Sequence, residues 1–204
     1  MKQIILASAS PRRKKLLNQI NLSFEVQPSA IEEEYNPEWP PEKIVCELAM
    51  QKGKDIASQF SNTLVIGADT IVTFEDNILE KPKDADDARQ MLTQLSGNTH
   101  QVYTGVALYK TDHLNNIVDS TTFFEVTDVT FGELDPLDID TYVKGGSPMD
   151  KAGSYGIQDD FGAIFVKRIE GDYNNVVGFP LHSFYNTVRN FAGDLLPKPG
   201  NKNR

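Results

Sequence analysis

The chain has 204 residues, a net charge of −9 and 39% hydrophobic content. That length can bury a real core, as one large α/β domain or as two small lobes. The acidic balance opposes non-specific nucleic-acid binding, which needs a basic footprint. No stretch reaches the roughly 18 apolar residues of a membrane span.

Lys2 to Ala7 reads as a first strand, too short and too weakly charged for a signal peptide. Ser8-Ala9-Ser10-Pro11 then leads into Arg12-Arg13-Lys14-Lys15-Leu16-Leu17. Ser10 suits an N-cap and Pro11 a first helical position. Strand, serine turn and helix N-terminus together offer N–H groups and hydroxyls to an anion. Two arginines at the positive end of a helix dipole are unfavourable unless an anion binds there, or unless the patch is simply solvated. Phe24 to Val26 reads as a second strand, and Ile31-Glu32-Glu33-Glu34-Tyr35 as an acidic loop. A helix is expected from about Pro41 to Gln59, with Ile44, Val45, Leu48, Ala49 and Ile56 on its apolar face. Lys52 falls near that face, where it either snorkels outward or points into a cleft. Cys46, the single cysteine, has no internal disulfide partner and reads as a buried thiol, consistent with a reducing cytoplasm.

Thr63-Leu64-Val65-Ile66 is a short apolar run that ends in Gly67-Ala68 and a lone carboxylate, Asp69. The run reads as a buried strand. Gly67 permits either a close backbone approach or a sharp turn. Asp69 is expected where the strand leaves the sheet, a ligand-binding position in α/β proteins, although Asp also suits a plain turn. Ile71 to Phe74 and Ile78-Leu79 read as a hairpin closed by Glu80-Lys81-Pro82. Asp84 caps a helix that runs to Leu95 and stops at Gly97. Long strands are expected at Thr99 to Tyr109 and Ile117 to Phe131, and a short helix from Asp135-Pro136 to Gly145-Gly146. Ser147 to Gly162 is glycine-rich, either a flexible connector or a functional surface. Strands at Ala163 to Arg168 and Val176 to Gly178 follow, then a helix from Pro180 to Phe191 and a frayed tail.

The familiar phosphate loops, Gly-x-x-x-x-Gly-Lys-Ser/Thr and Gly-x-Gly-x-x-Gly, are absent. So is the Gly-x-Ser-x-Gly elbow, and His100, His113 and His182 lack zinc spacing. What remains is two carboxylates, Glu33 and Asp69, four cations, Arg12, Arg13, Lys52 and Lys81, and serine and glycine turns. That set suits a polyphosphate with a hard divalent cation.

Several separated segments resemble the Maf family of nucleoside triphosphate pyrophosphatases. They are Leu6-Ala7-Ser8-Ala9-Ser10-Pro11-Arg12-Arg13, Ile31-Glu32-Glu33, Lys52, Gly67-Ala68-Asp69-Thr70, Lys81-Pro82 and Asp150-Lys151-Ala152-Gly153-Ser154-Tyr155-Gly156-Ile157-Gln158. The resemblance spans residues 3 to 192. It implies an α/β fold like the inosine triphosphate pyrophosphatase superfamily, with two lobes around a cleft on an elongated, twisted mixed sheet. The lobes would form one catalytic domain over 1–192, leaving 193–204 as a flexible tail.

The resemblance also implies cleavage between the α- and β-phosphates with Mg²⁺ or Mn²⁺, in a cytoplasmic homodimer. Asp69 would take the proton of the attacking water and share the metal with Glu33. Ser8, Ser10, Arg13, Lys52 and Lys81 would bind substrate. Arg12, Thr70 and Gln158 would set specificity: the branch acting on 7-methyl-GTP carries Trp in place of Arg12, whereas this combination is similar to enzymes acting on dTTP and UTP. A Gln amide can both donate to and accept from the O4/N3 edge of uracil or thymine. Asp159-Asp160 departs from the glycine-rich pattern usual after this motif. A non-hydrolytic nucleotide-binding regulator of septum formation is the alternative expectation.

Overall fold

The computed structural model describes residues 3–75, 77–158 and 161–197. The elements run β1 (Gln3–Leu6), α1 (Pro11–Gln19), β2 (Glu25–Val26), α2 (Pro41–Ala57), β3 (Thr63–Phe74), β4 (Asn77–Leu79), α3 (Ala85–Leu95), β5 (Thr99–Thr111), β6 (Ile117–Phe131), α4 (Pro136–Lys144), α5 (Gly162–Phe165), β7 (Val166–Glu170), α6 (Tyr173–Val177) and α7 (Leu181–Ala192). The sheet order is β2-β1-β3-β5-β6-β7, with β4 also on β3. β1 is parallel to both β2 and β3, while β3/β4 and β6/β7 are antiparallel. The expected α/β class with a mixed sheet is therefore what the chain adopts.

The chain forms two compact units. Among the described residues, one comprises 3–69, 104–124 and 178–197, the other 70–75, 77–103, 125–158 and 161–177. In the first, Ile5, Ala7, Ala49, Ile56, Val65, Ala107 and Tyr109 form a buried cluster between α2 and its strands. The contact is very close. A methyl group on Gly67 would lie 2.1 Å from the Ala49 carbonyl oxygen, and one on Gly105 would lie 2.2 Å from that of Val45. Gly67 thus serves backbone approach, not a turn.

In the second unit, Phe131 packs edge-on against His100 and Tyr155, at centroid distances of 5.0 and 4.8 Å. Phe165 stacks edge-on to Tyr142 at 5.3 Å. Capping follows the sequence: the Ser10 hydroxyl accepts from Arg13 N, and Asp84 accepts from Asp86 and Asp87 N–H groups.

Four expectations are corrected. Asp69 is not at a strand end, because β3 continues to Phe74. What ends nearby is β1, whose pairing stops at Leu6↔Ile66, before β4 joins at Val72. Residues 162–165 form a helical turn before β7 begins at Val166. The turn buries Phe165 in the aromatic cluster and leaves Ile164 67% exposed, a tertiary demand that overrides β propensity. Residues 173–177 are helical too. Asp172 accepts from Asn174 N at their start, and Asn175 Nδ2 donates to the Val102 carbonyl.

Finally, much of the glycine-rich segment is interior: Lys151, Gly153, Ser154, Tyr155, Gly156 and Ile157 are buried. Gly156 N donates to Tyr142 Oη, and His100 Nε2 bonds Tyr155 Oη at 2.8 Å. Asp159, Asp160 and residues 198–204 of the expected tail lie outside the described residues, while Gly193–Leu195 forms a 3₁₀ turn.

Burial lowers the His100 pKa to about 4, against an ordinary 6.5. The unfolded chain therefore binds this proton first. The associated stability is complete above about pH 6.5 and is lost as pH falls toward about 4. Between pH 7 and 5 His100 should cost the native state about 2 kcal/mol. Urea unfolding at both pH values should show this loss in the parent and its absence in His100→Gln.

Candidate active site

The first unit holds Ser8, Ser10, Arg12, Arg13, Glu33, Lys52 and Asp69. Asp69 lies two residues beyond Gly67, so strand alternation returns its side chain to the α2 face. There Lys52 Nζ donates to Asp69 Oδ1 at 2.5 Å and pairs with Glu33 Oε2 at 2.8 Å. Two carboxylates thus converge on one cation. The helix also grips the acidic loop next to Glu33: Gln51 accepts from Glu34 N at 3.1 Å and donates to the Glu34 carbonyl at 2.6 Å.

Arg13 is only 8% exposed. Its Nε donates to the Gly178 carbonyl at 3.0 Å, and its Nη1 donates to Ser8 Oγ and to the Ala68 carbonyl at 2.9 Å each. Burial lowers its pKa, and the charges of Asp69 and Glu33 oppose that shift while Arg12 adds to it. Arg13 was expected among the substrate-binding cations. These three bonds instead show it holding the backbone beside Asp69. Ser8 Oγ also accepts from Ser10 N at 3.3 Å, so the serine turn is tied together by its own hydroxyls.

Thr70, Lys81 and Gln158 belong to the second unit. Lys81 is exposed and Gln158 half-buried. Gly153 N donates to the Glu80 carbonyl, so the glycine-rich segment is anchored to the residue next to Lys81. Cys46, expected to be buried, is half-buried on α2, and His182 is exposed on α7. Burial raises the Cys46 thiol pKa, and Asn186 bonds the His182 ring.

The family model described as "Maf-like protein" matches residues 3–191. The chain belongs to the Maf-like family. It is 48% identical over 195 residues to a dTTP/UTP pyrophosphatase of Bacillus cereus, covering 96% of this chain and 98% of that one. It is 49% identical over 191 residues to a dTTP/UTP pyrophosphatase of Bacillus cytotoxicus, covering 94% and 96%. Among solved structures, a nucleoside-triphosphatase / dITP/XTP pyrophosphatase of Mycobacterium abscessus aligns with a TM-score of 0.43 at 12% identity, covering 96% of this chain and 100% of that one.

Sequence reasoning about this Maf-like chain missed Gly53 and Gly105, which line the contact that sets the site. Gly53 lies within a helix and Gly105 within a strand. An isolated glycine inside either element signals close packing. The His100–Tyr155 bond left no such signal, since the partners are 55 positions apart.

Gly67→Ala should push α2 off β3. An added methyl there meets backbone on three sides, Ala49 O and both N and Cα of Gly53, all within 2.9 Å. The expected cost is about 1–3 kcal/mol in denaturant unfolding. Gly132→Ala, where nothing lies within 4 Å, should stay within about 0.5 kcal/mol of the parent.

Proposed function

We propose that this chain hydrolyses dTTP and UTP to the nucleoside monophosphate and pyrophosphate, with Mg²⁺ or Mn²⁺ at Glu33 and Asp69. The observation that carries it is the convergence of those two carboxylates on one point, Lys52 Nζ, at 2.8 and 2.5 Å. The near-full-length relatives named dTTP/UTP pyrophosphatase support the same reading.

The donor set fits a hard cation. Mg²⁺ is usually held by one or two carboxylates plus substrate phosphates and water. Among the described residues no group of three His, Cys, Asp or Glu side chains could hold a metal, so Glu33 and Asp69 would depend on the substrate to complete the shell. A divalent cation bound there would draw charge from the phosphates and favour departure of pyrophosphate.

The chain's own groups do the rest. Asp69 takes a proton from the attacking water as its oxygen bonds to the α-phosphorus. The bond from that phosphorus to the bridging oxygen breaks, and its electron pair leaves with pyrophosphate. Arg12, Lys52 and Lys81 offset the moving negative charge. Ser8, Ser10 and Arg13 keep the serine turn and the Ala68 carbonyl in place. Thr70 and Gln158 are proposed to select the pyrimidine base.

Among the described residues no helix is long and apolar enough to cross a membrane. The single cysteine, Cys46, fits a reducing compartment, and we propose the cytoplasm for the enzyme on that ground. Its macromolecular partner is proposed to be a second copy, paired along β6. β7 covers only Asp128 to Phe131, so Ile117 to Val126 has no further strand partner on that edge among the described residues. Val118 and Phe124 are 61% and 44% exposed there, and the stretch contains no Lys or Pro to block pairing. An antiparallel two-fold at Thr121 sets Val118 against Phe124, an apolar cross-strand pair. Shifting it to Thr122 would oppose Asp119 and Glu125.

Two tests follow. Pyrophosphate release from dTTP, UTP and 7-methyl-GTP should favour the first two, and Asp69→Asn should lower kcat by about 10²–10⁴-fold with an unchanged circular dichroism spectrum. Parental turnover in that variant removes Asp69 from the chemistry. In sedimentation velocity the parent should run as a dimer and the Val118→Lys, Phe124→Lys double variant as a monomer. A dimeric double variant or a monomeric parent overturns the edge assignment.

A further inference from the structure

Lys52 bonds one oxygen of each carboxylate proposed to hold the metal. Its side chain and that of Asp69 are each 15% exposed, and Glu33 is 41% exposed. An ammonium and a dication cannot both sit within bonding distance of the same two oxygens. Like charges roughly 3 Å apart repel strongly, and burial weakens the screening that would relieve them.

The surrounding charge points the same way. Arg12, Asp69 and Glu33 all act on Arg13, and Lys52 joins the two carboxylates. Both carboxylates therefore lie within reach of two cations, Lys52 and the buried Arg13.

We infer that Lys52 is an internal counter-ion that closes the Glu33–Asp69 pair to divalent metal until a nucleotide triphosphate draws its ammonium away. The inference rests on the pyrophosphatase reading above. Lysine suits the task, because it is a compact charge on a flexible stem with freely rotating donors. Once the ammonium turns to phosphate oxygens, both carboxylates are released together. The exchange leaves no charge unpaired: the ammonium gains phosphate and the dication gains carboxylate. Metal and nucleotide are then coupled, and each raises the other's affinity by the same factor.

The test is Mn²⁺ binding to nucleotide-free protein, followed by the electron paramagnetic resonance signal of free Mn²⁺. Lys52→Met should bind Mn²⁺ at least about tenfold more tightly than the parent. Lys52→Arg, which keeps a cation, should stay at the parental level. The Lys52→Met, Asp69→Asn double variant should lose the gain. Thermal unfolding of each variant confirms that a native fold is being titrated. Equal affinity in Lys52→Met and the parent overturns the inference, as does a gain that survives Asp69→Asn.

Turnover of dTTP by the parent is measured separately. Normal turnover with no gain in Lys52→Met defeats the counter-ion role alone. A gain in Lys52→Met with no parental turnover of any triphosphate defeats the pyrophosphatase reading instead.

Discussion

The approach of α2 to β3 at Gly67 is the constraint on which the site depends. Gly67 and Gly53 bring helix and strand backbones so close that the position of a Gly67 Cβ is already occupied by Ala49 O and Gly53 N. Lys52 precedes Gly53, and Asp69 follows Gly67 by two. Their 2.5 Å contact is therefore a consequence of backbone packing, not of two long side chains finding each other. Gly53 in a helix interior costs about 1 kcal/mol relative to Ala. The burial of Ile5, Ile56, Val65 and Tyr109 beneath the same contact offsets it.

Arg13 fixes the other side of Asp69. A buried guanidinium needs partners for its donors, and Ser8 Oγ and the Ala68 and Gly178 carbonyls take those on Nε and Nη1. It links the β1 exit, the strand position just before Asp69 and the segment leading to α7. Burial lowers its pKa, and the nearby charges of Asp69 and Glu33 oppose that shift. A residue that looks from the sequence like a phosphate clamp is thus part of the frame.

Local chemistry was legible where a short-range rule decided the outcome. Ser10-Pro11 began a helix, Asp84 capped one, and Ile117 to Phe131 formed the expected strand. Gly67 was open between turn and close approach, and only the position of α2 could decide. Asp69 was misplaced for the same reason. A glycine after an apolar run resembles a strand end when the helix that needs it is out of sight. Residues 162–165 and 173–177 became helical because Phe165 and Asn175 had distant partners, Tyr142 and Val102. Family motifs singled out Glu33, Lys52 and Asp69 one by one, but not the bridge that joins them, since it spans a loop, a helix and a strand.

Those three elements differ in stiffness, and the difference bears on how the site works. Asp69 is held within a long strand and bonded by Lys52, beside a carbonyl pinned by Arg13. Ser154 is buried in the left-handed region at φ 62°, a backbone strain of order 1 kcal/mol that its packed surroundings must sustain. Glu33 lies in a loop without regular structure and is 41% exposed, steadied by the Gln51 bracket on Glu34. One carboxylate is thus preorganised and the other is adjustable. On the proposed reading, a cation arriving with its substrate would meet one fixed ligand and one able to follow whichever cation, ammonium or metal, stood between them.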